Sequence, residues 1–130
     1  MGVPVSLIRE GTITELDFSA LRQRMIAEIT AETIYASAQL GKVPRHEFVP
    51  LELQPFAYAN MPLPIGFDKT ISQPLIVAVM TDLLDIRPTD TVLEIGTGLG
   101  YQSAILAELA QRVYSIEIIE PLAEEARERL

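Results

Sequence analysis

Cysteine is absent from this chain and histidine occurs once. Without thiols there is no disulfide frame, no thiolate zinc site and no cysteine nucleophile, and one imidazole does not make a histidine-rich metal centre. Positive charge is scarce: 10 Lys and Arg stand against 18 Asp and Glu, a formal net charge of −8. Phosphate binding needs clustered Lys and Arg, so the balance argues against a nucleic-acid partner. An anionic membrane surface is disfavoured for the same reason. An acidic substrate is not excluded, because backbone N–H groups hold one locally. Long apolar runs are lacking too. None approaches a membrane span, and the opening MGVPVSLIRE has neither the apolar core nor the cleavage pattern of a signal peptide. A soluble cytoplasmic protein is the simplest reading of these absences.

What is present is apolar surface: 48% of the 130 residues are hydrophobic, enough for a real core. At this length one domain, 1–130, is the expectation. Residues 1–16 show no clear period and read as an arm. From Asp17 the pattern is helical, with Phe18, Leu21, Met25 and Ile29 at three- and four-residue steps. A second helix is expected over Ala31 to Leu40, stopped by Gly41. KVPRHEFVP then brackets a short turn between two prolines. Residues 54–73, with Pro55, Pro62, Pro64 and Gly66, read as an ordered loop with apolar residues to bury. Pro74 suits the first turn of a helix, capped by Ser72 or Gln73. LIVAVMTDLL is apolar on nearly every side, as a buried helix is. RPTD is a turn, TVLEIG a strand ended by glycine, YQSAILAELAQR a helix with Ile105, Leu106 and Leu109 on one face, VYSIE a second strand, and PLAEEARERL a helix in which the chain stops. Residues 17–90 thus carry helices and a loop, and 91–130 read β-α-β-α, which implies a parallel sheet in an α/β fold.

Between the two strands lies VLEIGTGLGYQ, with Gly96, Gly98 and Gly100 leading into a helix. Glycines let the chain turn sharply and let a ligand approach the main chain, and the helix start offers free N–H groups. A tight turn without a ligand is the plain alternative. Three alternate glycines in this position, with an acid at the second strand's end, favour a cofactor site. A dinucleotide fingerprint needs G-x-G-x-x-G, and Tyr101 stands where its last glycine belongs. Glu94, at the first strand's end, suits a positively charged group and repels a pyrophosphate. Glu117, about 20 residues beyond the glycines, is placed to accept ribose hydroxyls. Two acids and no phosphate-binding lysine point to a nucleoside with a charged amino-acid tail, S-adenosyl-L-methionine. For each acid the alternative is a capping or solvated carboxylate.

VLEIGTGLGYQSAILAELA followed by VYSIE resembles the first two cofactor motifs of class I methyltransferases. VPRHEFVP, PLPIGFDKTISQP and MTDLL resemble protein-L-isoaspartate O-methyltransferases in order and spacing, over roughly residues 17–130. The PLPIG…TISQP block is the more specific. The resemblance implies a Rossmann-like class I methyltransferase fold with N-terminal helices, of whose sheet of about seven strands only the first part is present. It implies methyl transfer from S-adenosyl-L-methionine to the α-carboxylate of L-isoaspartyl residues in damaged peptides and proteins. Residue by residue it implies Ser72 as the catalytic, positioning serine. It assigns Ile71, Ser72, Glu94, Gly96, Thr97, Gly98, Gly100 and Glu117 to the cofactor, and Pro64, Ile65 and Thr70 to the substrate, with Pro62 to Ile65 shaping the peptide side. Asp68 departs from the glycine that bacterial members usually carry. The later adenine motif and the C-terminal substrate-facing strands are absent, as expected of a truncated or processed chain.

The chemistry asks for little. A carboxylate with a pKa of about 3.5–4 is ionised at neutral pH and needs no base. The sulfonium is a good leaving group, so alignment, worth up to ~7–11 kcal/mol, and removal of water carry the rate. A hydroxyl at a helix start orients a carboxylate without neutralising it; from the residues alone Ser72 is equally a helix cap. A nucleophilic-serine hydrolase is disfavoured, since G-x-S-x-G is missing. His46 reads as a surface or turn histidine, Lys69 as a solvated lysine with a weaker reading as an attractor of the substrate carboxylate, and EEARER as a solvated face. Two other readings remain: a class I methyltransferase with a different acceptor, and an inactive fragment or interaction module. An unpaired sheet edge in the latter invites self-association.

Overall fold

The structure, a computed structural model, describes residues 6–9, 12–31 and 36–130. The stretch read as an arm carries a hairpin: β1 (Ser6–Arg9) pairs antiparallel with β2 (Thr12–Glu15), Ser6 opposite Glu15 and Arg9 opposite Thr12. Thr12, Ile13 and Thr14 are β-branched, which suits strand backbone even without a clean alternation.

Asp17 caps α1 (Phe18–Thr30) by accepting from the Ala20 N–H at 3.0 Å, and α1 buries Met25 and Ile29. Part of the expected second helix falls on residues 32–35, outside the described residues. What is described is α2 (Ala36–Lys42), whose first N–H donates to Asp82 Oδ1 at 2.8 Å. Gly41 lies inside α2 and does not stop it. The stop is Val43–Pro44, because a residue preceding proline is pushed out of the helical region. A Cβ on Gly41 would lie 3.9 Å from Ile26 Cγ1, so this position faces α1. Two 3-10 turns follow, Arg45–Phe48 and Leu51–Phe56.

The segment read as a loop is more regular than its prolines suggested. Leu51–Phe56 is the second 3-10 turn, and β3 (Leu63–Gly66) and β4 (Lys69–Ile71) form an antiparallel hairpin, Leu63 opposite Ile71 and Pro64 opposite Thr70. Its two-residue connection, Phe67–Asp68, has φ +56° at both positions, the pattern of a type I′ turn. Leu63, Ile65 and Ile71 point into the core.

α3 (Pro74–Leu84) leads to β5 (Thr91–Ile95) through a turn in which Arg87 N–H donates to Asp90 Oδ2 at 2.8 Å. α4 (Tyr101–Ala107) connects β5 to β6 (Arg112–Ile116), parallel to β5 with Thr91 opposite Arg112 and Ile95 opposite Ile116. α5 (Glu120–Arg129) follows. The core joins Met25, Ile29, Leu40, Phe48, Val77, Tyr101, Ile105 and Leu122 in one cluster. Each such side chain is worth about 1.5–3 kcal/mol when buried.

The expectation that α3 is buried all round is corrected. Val77, Ala78 and Thr81 are buried, but Leu83 is 80% exposed, and Ile76, Met80 and Leu84 also face outward. Leu93, Ile95, Tyr114 and Ile116 of the sheet are exposed with them. α3 and one face of the two-stranded sheet therefore present an apolar surface that is uncovered among the described residues.

Candidate active site

The glycine turn is built by backbone angles. Gly96, Gly98 and Gly100 all have positive φ, at +91°, +59° and +101°, where a side chain is strained. Gly96 N–H donates to the Ile116 carbonyl at 2.8 Å, which fastens the turn to β6. A Cβ on Gly98 would lie 3.2 Å from Ile65 Cδ1, so the β3–β4 hairpin rests directly on the glycine turn. A Cβ on Gly96 would meet nothing within 4 Å, leaving open space over the main chain for a ligand.

Ile65, Thr70, Ile71, Ser72, Gly96, Thr97 and Gly98 line one cavity of about 70 Å³, together with Val77, Leu99, Tyr101 and Gln102. Seven of the residues expected at the site thus meet at one point. Beside it a cleft of about 480 Å³ is lined by Ile65, Asp68, Lys69, Thr70, Gly96, Gly98 and Glu117, with Ile95, Ile116, Ile118, Ile119 and Leu122 completing its wall. A third cleft, of about 520 Å³, joins Ser72 and Gly96 to Glu94 under α3.

Glu117 holds the turn in shape. Its Oε1 accepts from Gly98 N–H at 2.8 Å and its Oε2 from Ile119 N–H at 3.0 Å. The Ile119 bond is the largest influence keeping its carboxyl below the ordinary range; burial opposes this, and Gly98, Ile118 and Lys69 assist. Glu117 lines the cleft, and a carboxylate has about four lone-pair sites, so it retains acceptor capacity for a hydroxyl donor. Glu94 faces α4 and β6, accepting from the hydroxyls of Ser103 and Ser115. Thr97 Oγ1 also pairs with Ser115. Two expected residues stand apart. Gly100 is the N-cap of α4, where an added Cβ would meet Ala126 of α5 at 3.6 Å and Leu130, just beyond that helix, at 3.1 Å. Pro64 is exposed on β3 and lines none of these three clefts.

Ser72 is not the cap of α3. Gln73 occupies that position without a side-chain bond. The orphan N–H of Leu75 is taken by Asn60 Oδ1 at 3.0 Å, and Gln73 Nε2 donates to the Asn60 carbonyl at 3.1 Å. With α3 capped from a distance, the exposed Ser72 side chain keeps its hydroxyl for the cavity. Its carbonyl accepts from Arg45 Nη2 at 2.9 Å. His46 is a turn residue, but it is buried, not on the surface: it stacks on Phe18 at 4.0 Å and its Nδ1 pairs with Tyr58 Oη at 2.9 Å. Burial lowers its pKa. Lys69 is exposed and lines the cleft with Glu117.

The model for the family described as Protein-L-isoaspartate(D-aspartate) O-methyltransferase matches residues 19–130. The chain belongs to this family. The Polaromonas sp. relative named Protein-L-isoaspartate O-methyltransferase 1 is 68% identical, over 100% of this chain and 61% of its own length. Protein-L-isoaspartate O-methyltransferase 2 of Syntrophobacter fumaroxidans is 50% identical, over 97% of this chain and 57% of its own. The chain therefore spans about 60% of the curated relatives it matches. A solved structure of a protein-L-isoaspartate O-methyltransferase superposes with a TM-score of 0.71 at 24% identity, covering 82% of this chain and 37% of that one. A Plasmodium falciparum structure, described as a beta-aspartate methyltransferase in complex with S-adenosyl-L-homocysteine, gives 0.69 at 18%, covering 88% of this chain and 55% of that one. These likenesses show the fold: the α/β, Rossmann-like arrangement expected from the sequence, here as N-terminal helices and the first two parallel strands.

Several residues that shape these clefts escaped the sequence reading. Arg45 stands inside the quoted VPRHEFVP but was given no role, although a cation between two apolar prolines is itself a signal. Asn60 acts across 15 residues on α3 and leaves no local pattern. Ser103 and Ser115 matter only because the fold brings them to Glu94.

Proposed function

We propose that this chain forms part of an S-adenosyl-L-methionine-dependent methyltransferase that esterifies the α-carboxylate of L-isoaspartyl residues in damaged peptides and proteins. One observation carries the reading: the β3–β4 hairpin sets Ser72 and Thr70 against Gly96 and Gly98 in a single cavity. A donor seated on the glycine turn and an acceptor seated on the hairpin would be neighbours there.

The residues fit the cofactor. Open space over Gly96 accommodates its amino-acid end, and Glu117, lining the adjoining cleft, would accept ribose hydroxyls. When bound, S-adenosyl-L-methionine supplies a methyl group activated by its sulfonium. The chain's own part is orientation. The Ser72 hydroxyl donates to one oxygen of the acceptor carboxylate, with Thr70 and Ile71 shaping the same wall. Ile65 and Leu99 exclude water. No base is required, because the acceptor is ionised at neutral pH. The only imidazole is occupied by Phe18 and Tyr58 and lines none of the three clefts. A cytoplasmic location belongs to the same reading; among the described residues no helix is long and apolar enough to cross a membrane.

The test is methyl incorporation from labelled S-adenosyl-L-methionine into an isoaspartyl peptide and its aspartyl twin. Labelling of the first alone is the expected result. Labelling of unrelated acceptors only would replace the acceptor in this reading, and no incorporation or cofactor binding would leave this chain a fragment without activity.

A further inference from the structure

Among the described residues, Arg45 is the one arginine or lysine with a fully buried side chain, at 0% exposure. No described carboxylate pairs with it, although the chain carries 18 acidic residues. Its Nε donates to the Ala57 carbonyl at 2.7 Å and its Nη2 to the Ser72 carbonyl at 2.9 Å. Its Cζ lies 4.8 Å from the Tyr101 ring centroid, and that ring is itself part of the wall of the Ser72 cavity. Nη1 and the Tyr101 hydroxyl are both buried and have no partner at strict hydrogen-bond geometry, but they lie near enough for a weak side-chain hydrogen bond between them that favours the charged guanidinium. A guanidinium stays protonated in proteins, and a buried cation without a counter-charge is costly unless something compensates it.

We propose that Arg45 is a positioning residue for the acceptor: from behind the cavity wall it fixes the Ser72 main chain and supplies the positive charge that a carboxylate at Ser72 completes. The proposal rests on the acceptor reading above and adds a source of selectivity to it. A substrate carboxylate meets a cation it does not touch. The carboxylate, ionised at neutral pH in either case, keeps its attacking oxygen free, which a direct ion pair would occupy. The acidity of the whole chain makes the point sharper, since the surface itself repels an anionic acceptor.

The experiment measures binding of an isoaspartyl peptide and of its neutral α-carboxamide analogue to the chain by calorimetry, with S-adenosylhomocysteine present. Native chain should favour the carboxylate by about tenfold or more, the scale of one unit charge acting through a partly polar interior. Arg45→Lys keeps the charge and should keep the preference. Arg45→Gln keeps a donor for a backbone carbonyl but not the charge, and should bring the two ligands within about twofold. A purely structural clamp would weaken both ligands alike in Arg45→Gln and leave their ratio unchanged, which overturns the proposal. Should both variants fail to fold, salt decides on the native chain. A buried charge is screened little, so the preference should hold between about 0.05 M and about 0.5 M NaCl. A collapse with salt would assign it to surface cations such as Lys69 and overturn the proposal while sparing the acceptor reading. A native chain with no preference at all overturns both.

Discussion

Asp68 holds the hairpin turn at φ +56°, beside Phe67 at the same angle. The left-handed region costs a residue with a side chain roughly 1 kcal/mol, and aspartate tolerates it better than phenylalanine. Asp68→Gly should therefore raise stability by about 0.5–1 kcal/mol, read as a higher urea midpoint with an unchanged slope. A lower midpoint would show that Asp68 makes a compensating contact. His46 offers a pH test. Burial lowers its pKa in the folded protein below the ordinary 6.5, so the unfolded chain takes up the proton first. Stability is then complete above 6.5 and falls as pH drops toward the lower folded value. Urea midpoints measured across this range should decline in the native chain and stay flatter in His46→Gln. At this scale the sequence was legible where chemistry is local, in the φ demands on Gly96 and Gly98. It was illegible where a side chain acts across the fold. Asn60 and Arg45 do their work on residues 15 and 27 positions away.

The start of α3 separates two roles that one serine can play. Asn60, not Ser72, satisfies the Leu75 N–H. Asn60→Ala should cost about 1 kcal/mol, within the usual 0.5–2 for a lost cap. Ser72→Ala should shift stability by no more than about 0.5 kcal/mol while sharply reducing methyl transfer. Thermal melts alongside the isoaspartyl assay check both, and a large stability loss in Ser72→Ala would return the serine to a capping role. The glycine turn is a second element test. Gly98→Ala places a methyl 3.2 Å from Ile65 at φ +59° and should weaken S-adenosylhomocysteine binding by about tenfold or more. α1, with its strong period, and α5, with Pro121 at its start, were readable in advance, as were both parallel strands. The β3–β4 hairpin was not: its strands are four and three residues long, one contains Pro64, and its turn lacks the Asn-Gly or Asp-Gly signal.

Across the whole molecule, the uncovered surface is the feature that most needs a consequence. Leu83 is 80% exposed and Ile95 73%, and β5 pairs on one side only among the described residues. Such edges and patches recruit another chain. Sedimentation velocity should show concentration-dependent self-association of the 130-residue chain, reduced by Ile95→Lys; a single monomeric boundary at all concentrations would contradict this. Hydropathy alone made α3 look buried, because a helix that is apolar all round does not reveal which of its faces a given stretch of chain covers. The central claim is that the glycine turn, Glu117 and Ser72 form one methyl-transfer site. A crystal structure of the chain with S-adenosylhomocysteine tests it most directly. The account predicts the ligand's amino-acid end over Gly96, its ribose on Glu117 and its sulfur facing the Ser72 cavity. A ligand bound elsewhere, with that cavity and Glu117 unchanged, would contradict it.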